Sequence, residues 1–198
     1  MQPNLEALPP QVRTFIALDT PDELKDAIAN VQRDMSRITG ARMSWARREG
    51  IHLTLKFLGD VARERLPILI SAMKVIAERT PPIKLSSAAV GGFPLLNRPR
   101  VLWLGLDADS NLGRLRNDVE ETCLELGFPL EEKAFHPHLT IGRVKELDRG
   151  SQLPQKFGKI FFPKVEWEAK EMKVMISELR PMGAVYTTLA ELSFGCTG

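Results

Sequence analysis

Two hydrophobic periods alternate along this chain, and they divide it into strands and helices. RTFIALDT (Arg13–Thr20) reads as a buried strand running into a turn. Thr20-Pro21-Asp22-Glu23 then has the form of a helix start: Thr20 as the cap, Pro21 in the first helical position, Glu23 three residues after the cap. Leu24, Ile28, Val31 and Met35 follow at helical spacing, and Gly40 marks the stop. Met43–Ala46 is a short strand candidate. Over Ile51–Leu58 the period becomes two, which predicts Ile51, Leu53, Leu55 and Phe57 on one face and His52, Thr54 and Lys56 on the other. Further helices are predicted over Arg63–Glu78, stopped by Thr80-Pro81-Pro82, and over Asn111–Leu126, closed by Gly127. The remaining predicted strands are Ile83–Val90, Arg100–Leu106, Phe135–Val144, Ile160–Trp167, Met172–Leu179 and Val185–Phe194, with Pro181 and Gly183 marking the last turn.

Helices and strands are interleaved without a strict βαβ rhythm, and the last three strands have no helix between them. This predicts an α+β fold with mainly antiparallel sheets rather than a doubly wound parallel sheet. Residues 1–12 hold three prolines and read as a loose leader, ahead of a single domain over 13–198.

Composition narrows the function mainly by exclusion. Lys and Arg number 27 against 25 Asp and Glu, a net charge of +2, too even for a protein that coats polyanions. Two cysteines cannot build a disulfide scaffold or a Cys-rich zinc site. No apolar stretch approaches the length of a membrane span, and the first residues lack a basic start followed by an apolar run, so a soluble cytoplasmic protein is expected. Neither Gly-rich phosphate-loop pattern occurs.

The histidines change the picture. There are 3, and two of them, His52 and His138, head the same tetrapeptide of His, apolar, Thr, apolar. On a strand, residues two apart share a face, so each copy presents an imidazole beside a hydroxyl while its aliphatic neighbours anchor the strand. Two such strands brought together suit a phosphodiester. The hydroxyls of Thr54 and Thr140 donate to the non-bridging oxygens, one neutral imidazole takes a proton from the attacking oxygen, and one imidazolium protonates the leaving oxygen. A lone strand histidine is usually structural, but duplication of the whole unit argues otherwise. Alternation places His136 on the face of His138 with its role open. A His-x-His metal site would need further ligands, and no Cys pair, H-E-x-x-H or Asp-rich motif lies nearby, so no metal and no cofactor is expected. Serine catalysis lacks its G-x-S-x-G elbow. Arg143 can offer a fork of donors to a phosphate or stand as a solvated surface residue. The run Arg42 to Lys56, with Trp45 in it, can hold an RNA backbone and stack a base, or be a charged turn.

HLTLKFLGD at His52–Asp60 and PHLTIGR at Pro137–Arg143 resemble the two signature motifs of the RNA 2′,3′-cyclic phosphodiesterases, also called 2′-5′ RNA ligases, of the two-histidine phosphoesterase superfamily. RTFIALDTP, RVLWLGL and SELRPMGAVY resemble that family's opening, middle and closing segments. The resemblance implies two pseudo-symmetric lobes around a central cleft, each a mainly antiparallel sheet with helices. It implies metal-independent opening of a 2′,3′-cyclic phosphate on RNA to a 2′-phosphate, with reversible ATP-independent 2′-5′ ligation in some members. It makes His52 the proton donor, His138 the proton acceptor, and Thr54, Thr140 and Arg143 substrate-binding residues. The partner implied is an RNA end or nucleotide with a 2′,3′-cyclic phosphate, met by a monomer with no membrane association. Two other functions compete: a non-catalytic module that binds nucleotides or RNA ends, and a phosphodiesterase of small cyclic phosphates.

Overall fold

A computed structural model describes residues 4–180 and 183–195. In chain order its elements are β1 (Gln11–Leu18), α1 (Asp22–Met35), β2 (Ala41–Trp45), β3 (Leu53–Ala62), α2 (Leu66–Arg79), β4 (Ile83–Phe93), β5 (Val101–Ala108), α3 (Ser110–Glu125), β6 (His138–Leu147), α4 (Leu153–Phe157), β7 (Glu166–Ala169), β8 (Glu171–Arg180) and β9 (Gly183–Ser193). The 9 strands form one sheet in the order β7-β4-β5-β6-β3-β1-β8-β9, with β2 added on β6. Every pairing is antiparallel, as expected for an α+β fold.

Most predicted elements form, and the departures have local causes. α1 starts one residue later than a Thr20 cap would set it, and the Thr20 amide donates to the Asp19 carboxylate at 2.7 Å. Pro21 becomes the cap residue, and the Thr20 hydroxyl is buried without a partner among the described residues. β6 begins at His138 rather than Phe135 because Pro137 has no amide to give a ladder. Ser87 donates to the Pro163 carbonyl at 2.8 Å, and regular pairing of the segment after Ile160 starts only at Glu166. The short helix α4 occupies a stretch with no clear period. Gly127 does adopt a left-handed conformation, φ 81°. The turn placed at Pro181 lies outside the described residues. Ahead of β1, the carbonyls of Glu6 and Leu8 each accept from the Arg63 guanidinium at 3.0 Å.

One face of the sheet carries the main core. Leu24 and Ile28 of α1, Leu69, Met73 and Ile76 of α2, and Leu115 and Val119 of α3 pack with the inward residues of β3, β5 and β6. The opposite face carries a small separate cluster of Phe15, Ala17 and Met175, with Tyr186 against it. β3 and β6, the strands that carry the duplicated motif, meet through one register pair, Leu53 with Leu139. Beyond that pair β2 replaces β3 along β6. The sheet is therefore continuous through its middle but has two halves, β3-β1-β8-β9 and β7-β4-β5-β6 with β2.

Candidate active site

Leu53 and Leu139 are each the second residue of a motif, and both are buried, at 2% and 0% exposure. Their burial holds both strands into the core, which turns His52, Thr54, His138 and Thr140 to the opposite face. The antiparallel register one step either side of the Leu53–Leu139 pair aligns His52 with Thr140 and Thr54 with His138. The fold thus brings together both histidines and both threonines named from the sequence, around a local twofold centre.

Each motif ends in a β-bulge. Against β1, β3 carries an extra residue at Leu55, between the pairs Ala17–Thr54 and Ile16–Lys56. Against β5, β6 carries an extra residue at Ile141, between Trp103–Thr140 and Leu102–Gly142. A bulge shifts the alternation by one residue. Strict alternation sends Phe57 to the core and Lys56 to the site. The structure reverses both: Phe57 pairs with Phe15 on the site face, while Lys56 pairs with Ile16 on the core face. The same device rescues Arg143, which lies an odd number of residues from Thr140. It pairs with Val101, two residues from the Trp103 that faces Thr140, so Arg143 shares the site face.

A helix from each half crosses to secure the bulge of the other. Gln32, the eleventh residue of α1, gives its amide hydrogens to the carbonyls of Ala46 and Ile141 at 2.8 and 2.9 Å. Glu120, the eleventh residue of α3, receives the buried Lys56 ammonium at 2.7 Å. Lys56 also donates to the Pro129 carbonyl at 2.8 Å, and Arg116 Nη2 lies 2.6 Å from Glu120 Oε1 as an ion pair without hydrogen-bond alignment. Burial pulls the Lys56 ammonium below its ordinary pKa. Of the run Arg42–Lys56, Lys56 is therefore withdrawn from the surface. Lys56 is under α3, Arg42 pairs with Glu146, and Arg48 pairs with Asp22 and Asp26. Trp45 lies against Gly142.

The two histidines differ in their surroundings. The His52 ring stacks on Phe15 at 4.8 Å, with Tyr186 edge-on at 5.4 Å. Gly50 makes room, since a Cβ there would come 2.7 Å from the Tyr186 ring. Burial pushes the His52 imidazole down to about 4, against a smaller pull from the Glu49 backbone and the Asp19 carboxylate. Its Nδ1 is buried with no partner in hydrogen-bond geometry among the described residues, so that pull from Glu49 does not amount to an aligned bond. His138 Nδ1 lies 2.7 Å from the His136 carbonyl, which accepts its N–H and leaves Nε2 with a free lone pair. Burial also lowers the His138 pKa; the His136 carbonyl opposes this, and the charges of His136 and Arg143 add to it. The backbone of His136 orients His138, while its own exposed ring stands 6.3 Å from Phe93.

Several neighbours were not singled out in the sequence. Phe93 and Trp103 wall the site beside His138, with ring centroids at 5.1 and 6.2 Å. A pocket of about 260 Å3 opens beside His52 between Asp19, Lys25, Lys173, Tyr186 and Thr188. Although burial raises it, the Asp19 carboxyl is held below its usual range by Lys25, the Thr20 amide and Lys173. The Lys25 and Lys173 ammonium groups reach it at 2.6 and 3.0 Å. Apart from the segment resemblances around Arg13–Pro21 and Ser177–Tyr186, single-residue periodicity held no signal for this pocket, because its walls come from β1, α1, β8 and β9. Among the described residues, no three His, Cys, Asp or Glu side chains cluster closely enough to hold a metal ion.

This geometry has counterparts. A model of the LigT-like phosphoesterases matches the chain twice, over residues 18–103 and 104–186, so that each match contains one motif. An RNA 2′,3′-cyclic phosphodiesterase of Methanocaldococcus jannaschii is 34% identical over 91% of this chain and 99% of its own length. A protein of the same name from Archaeoglobus fulgidus is 32% identical over 90% of this chain and 98% of its own. A crystal structure of a Thermus thermophilus protein superposes with a TM-score of 0.77 at 26% identity, covering 94% of this chain and 100% of that one. With the motif strands, the twofold arrangement and both halves accounted for, the chain belongs to the LigT-like phosphoesterase family.

Proposed function

We propose that this protein opens 2′,3′-cyclic phosphate ends of RNA to 2′-phosphates by histidine acid–base catalysis without a metal. The observation that carries this reading is the Leu53–Leu139 pair, which sets one imidazole and one hydroxyl from each half around a single point on the sheet. The phosphorus sits between the histidines. His138 Nε2, its other nitrogen committed to the His136 carbonyl, takes a proton from water as the water oxygen bonds to phosphorus. The P–O3′ bond breaks, and His52 gives its proton to O3′, leaving a 2′-phosphate and a 3′-hydroxyl. Thr54 and Thr140 donate to the non-bridging oxygens, and Arg143 adds a charged fork on the His138 side. Burial holds the His52 imidazole at about 4, and an anionic phosphate beside it favours its protonated form. A 5′-hydroxyl in place of water gives the 2′-5′ ligation, with no ATP because the cyclic ester already carries the bond energy. In this reading the protein works as a monomer in the cytoplasm, on RNA ends or nucleotides. No helix among the described residues is long and apolar enough to cross a membrane.

A product-resolved assay on cyclic-ended RNA with a chelator present tests the proposal. The expected product is the 2′-phosphate at an undiminished rate. Activity lost to the chelator and restored by zinc or manganese overturns the metal-free mechanism. A 3′-phosphate as sole product overturns the leaving-group assignment. Binding without turnover favours a recognition module.

A further inference from the structure

β2 lies off the main order of the sheet and pairs with β6, while among the described residues no strand is added on β3 in the same way. Gln32 pins the end of β2, since its amide reaches the Ala46 and Ile141 carbonyls together. Ser44 is exposed and opposite Arg143 in register. Opposed residues of an antiparallel pair share a face, so Ser44 extends the site face beside Arg143. A further register slip follows. Between the pairs Met43–Val144 and Arg42–Glu146, β6 carries Lys145 as an extra residue. Lys145 is exposed and stands two residues, about 7 Å of strand, beyond Arg143, on the same face. Its neighbour Glu146 takes Arg42 instead. Among the described residues neither Arg143 nor Lys145 has an ion-pair partner, whereas beside His52 the ammonium groups of Lys25 and Lys173 are both tied to Asp19. From His138 the site face thus continues along a track of Arg143, Ser44 and Lys145.

On the cyclic phosphodiesterase reading, on which this inference rests, the attacking and leaving oxygens stand in line across the phosphorus. The leaving O3′ is on the His52 side and the attacking oxygen on the His138 side. Water needs no track behind it. A 5′-hydroxyl does, because it ends a chain that continues through its own 3′ phosphate. That chain leaves on the side from which the hydroxyl enters. We infer that Ser44 and Lys145 hold the phosphate backbone of a second RNA strand, the one that brings its 5′-hydroxyl to His138. In this step His138 Nε2 takes the hydroxyl proton and the 5′ oxygen bonds to phosphorus. The P–O3′ bond breaks, O3′ takes its proton from His52, and a 2′-5′ linkage remains. The same track holds the departing strand when such a linkage is cleaved, since the reverse reaction passes through the same geometry. Contacts of this kind position the strand and carry no sequence information.

The test supplies a cyclic-ended oligouridylate with a 5′ phosphate, adds a 5′-hydroxyl oligouridylate as acceptor, and reads ligated against hydrolysed product. The double variant Ser44→Ala, Lys145→Gln should lower that ratio by about 10-fold, the lower end for a hydrogen bond to a charged group, with hydrolysis unchanged. Lys145→Arg alone should keep the ratio. With uridine as acceptor, which has no phosphate to hold, the double variant should match wild type. Its ligation should also depend less on salt, by about one phosphate contact. An unchanged ratio, an equal fall with uridine, or a parallel fall in hydrolysis overturns the inference, and so does wild-type hydrolysis without any ligation. Fluorescence anisotropy with the acceptor strand alone separates these failures from failure of the enzyme reading. Binding lost in the double variant, without wild-type turnover of the cyclic end, keeps the strand site and removes the phosphodiesterase. Binding indifferent to both residues, or no binding, removes the site.

Discussion

The two halves of the sheet share one backbone device and surround it with different side chains. In each, a motif strand bulges immediately after its threonine, and in each a helix from the other half reaches that bulge with its eleventh residue. The residue turned out on the site face is Phe57 in one half and Arg143 in the other. The tie beneath is a buried ion pair in the first half, Lys56 with Glu120, and a neutral amide on two carbonyls in the second, Gln32. The histidines diverge as well: His138 is oriented by a carbonyl at 2.7 Å, while His52 is sandwiched among aromatic rings with its Nδ1 unpaired. The lesson is that a near-symmetric scaffold can hold an asymmetric reaction. Each half keeps the geometry, and in the proposed mechanism the local neighbours divide the two proton transfers between the imidazoles.

The largest expected effect breaks that division of labour. His52→Ala and His138→Ala should each lower kcat by about 10²–10⁴-fold, the scale of acid–base catalysis. A phosphodiester with a nitrophenyl leaving group needs no proton on departure, so it should recover much of the rate in His52→Ala and little in His138→Ala. Equal recovery would reverse or dissolve the assignment.

The ties beneath the bulges should differ in stability. Lys56→Ala leaves Glu120 buried without its main partner and should cost about 3–5 kcal/mol in urea unfolding, with Lys56→Met costing less. Gln32→Ala leaves two carbonyls short of a donor and should cost about 1–3 kcal/mol. The reverse order would contradict the contrast between a charged and a neutral tie.

The buried histidine makes stability depend on pH in a predictable direction. His52 binds its proton more weakly folded, at about 4, than unfolded, where the ordinary value is 6.5. Its contribution is thus fully present above the unfolded value and is lost as pH falls from there through about 4, amounting to roughly 3 kcal/mol. His138 acts in the same direction. Unfolding curves between pH 7 and pH 4 should show this loss in wild type and a shallower one in His52→Gln. The imidazole titration of His52 should also move to higher pH on adding inorganic phosphate. A shift the other way would mean that the anion does not sit beside it.

The smallest effect sharpens the contrast between the turned-out residues. Arg143→Ala should raise KM for RNA and mononucleotide alike by about 10-fold or somewhat more, the value of a charged hydrogen bond. An effect confined to RNA would move Arg143 from the reacting phosphate to the strand.

The candidate site residues were legible because the motif is local. His52-Leu53-Thr54 and His138-Leu139-Thr140 need only the strand period to put imidazole and hydroxyl on one face, and their repetition announces a pair. Helix positions followed from Leu24-Ile28-Val31-Met35 and from the stretch closed by Gly127, again because the signal repeats within a few turns. Phe57, Lys56 and the facing of Arg143 were not legible from alternation, which assumes an unbroken ladder. The Thr20 cap did not form either: its hydroxyl has no partner among the described residues, while its amide donates to Asp19, which is held by Lys25 and Lys173, the latter on a distant strand.

By itself, then, the sequence singled out the candidate residues for proton transfer and phosphate binding, the antiparallel α+β character, and the duplication. The tertiary structure decided which strands meet, at Leu53 and Leu139, where each ladder slips by one residue, and which side chain each slip turns outward. The physical reason is that side-chain direction on a strand belongs to the pair of strands: an extra residue is defined only against the partner it fails to match.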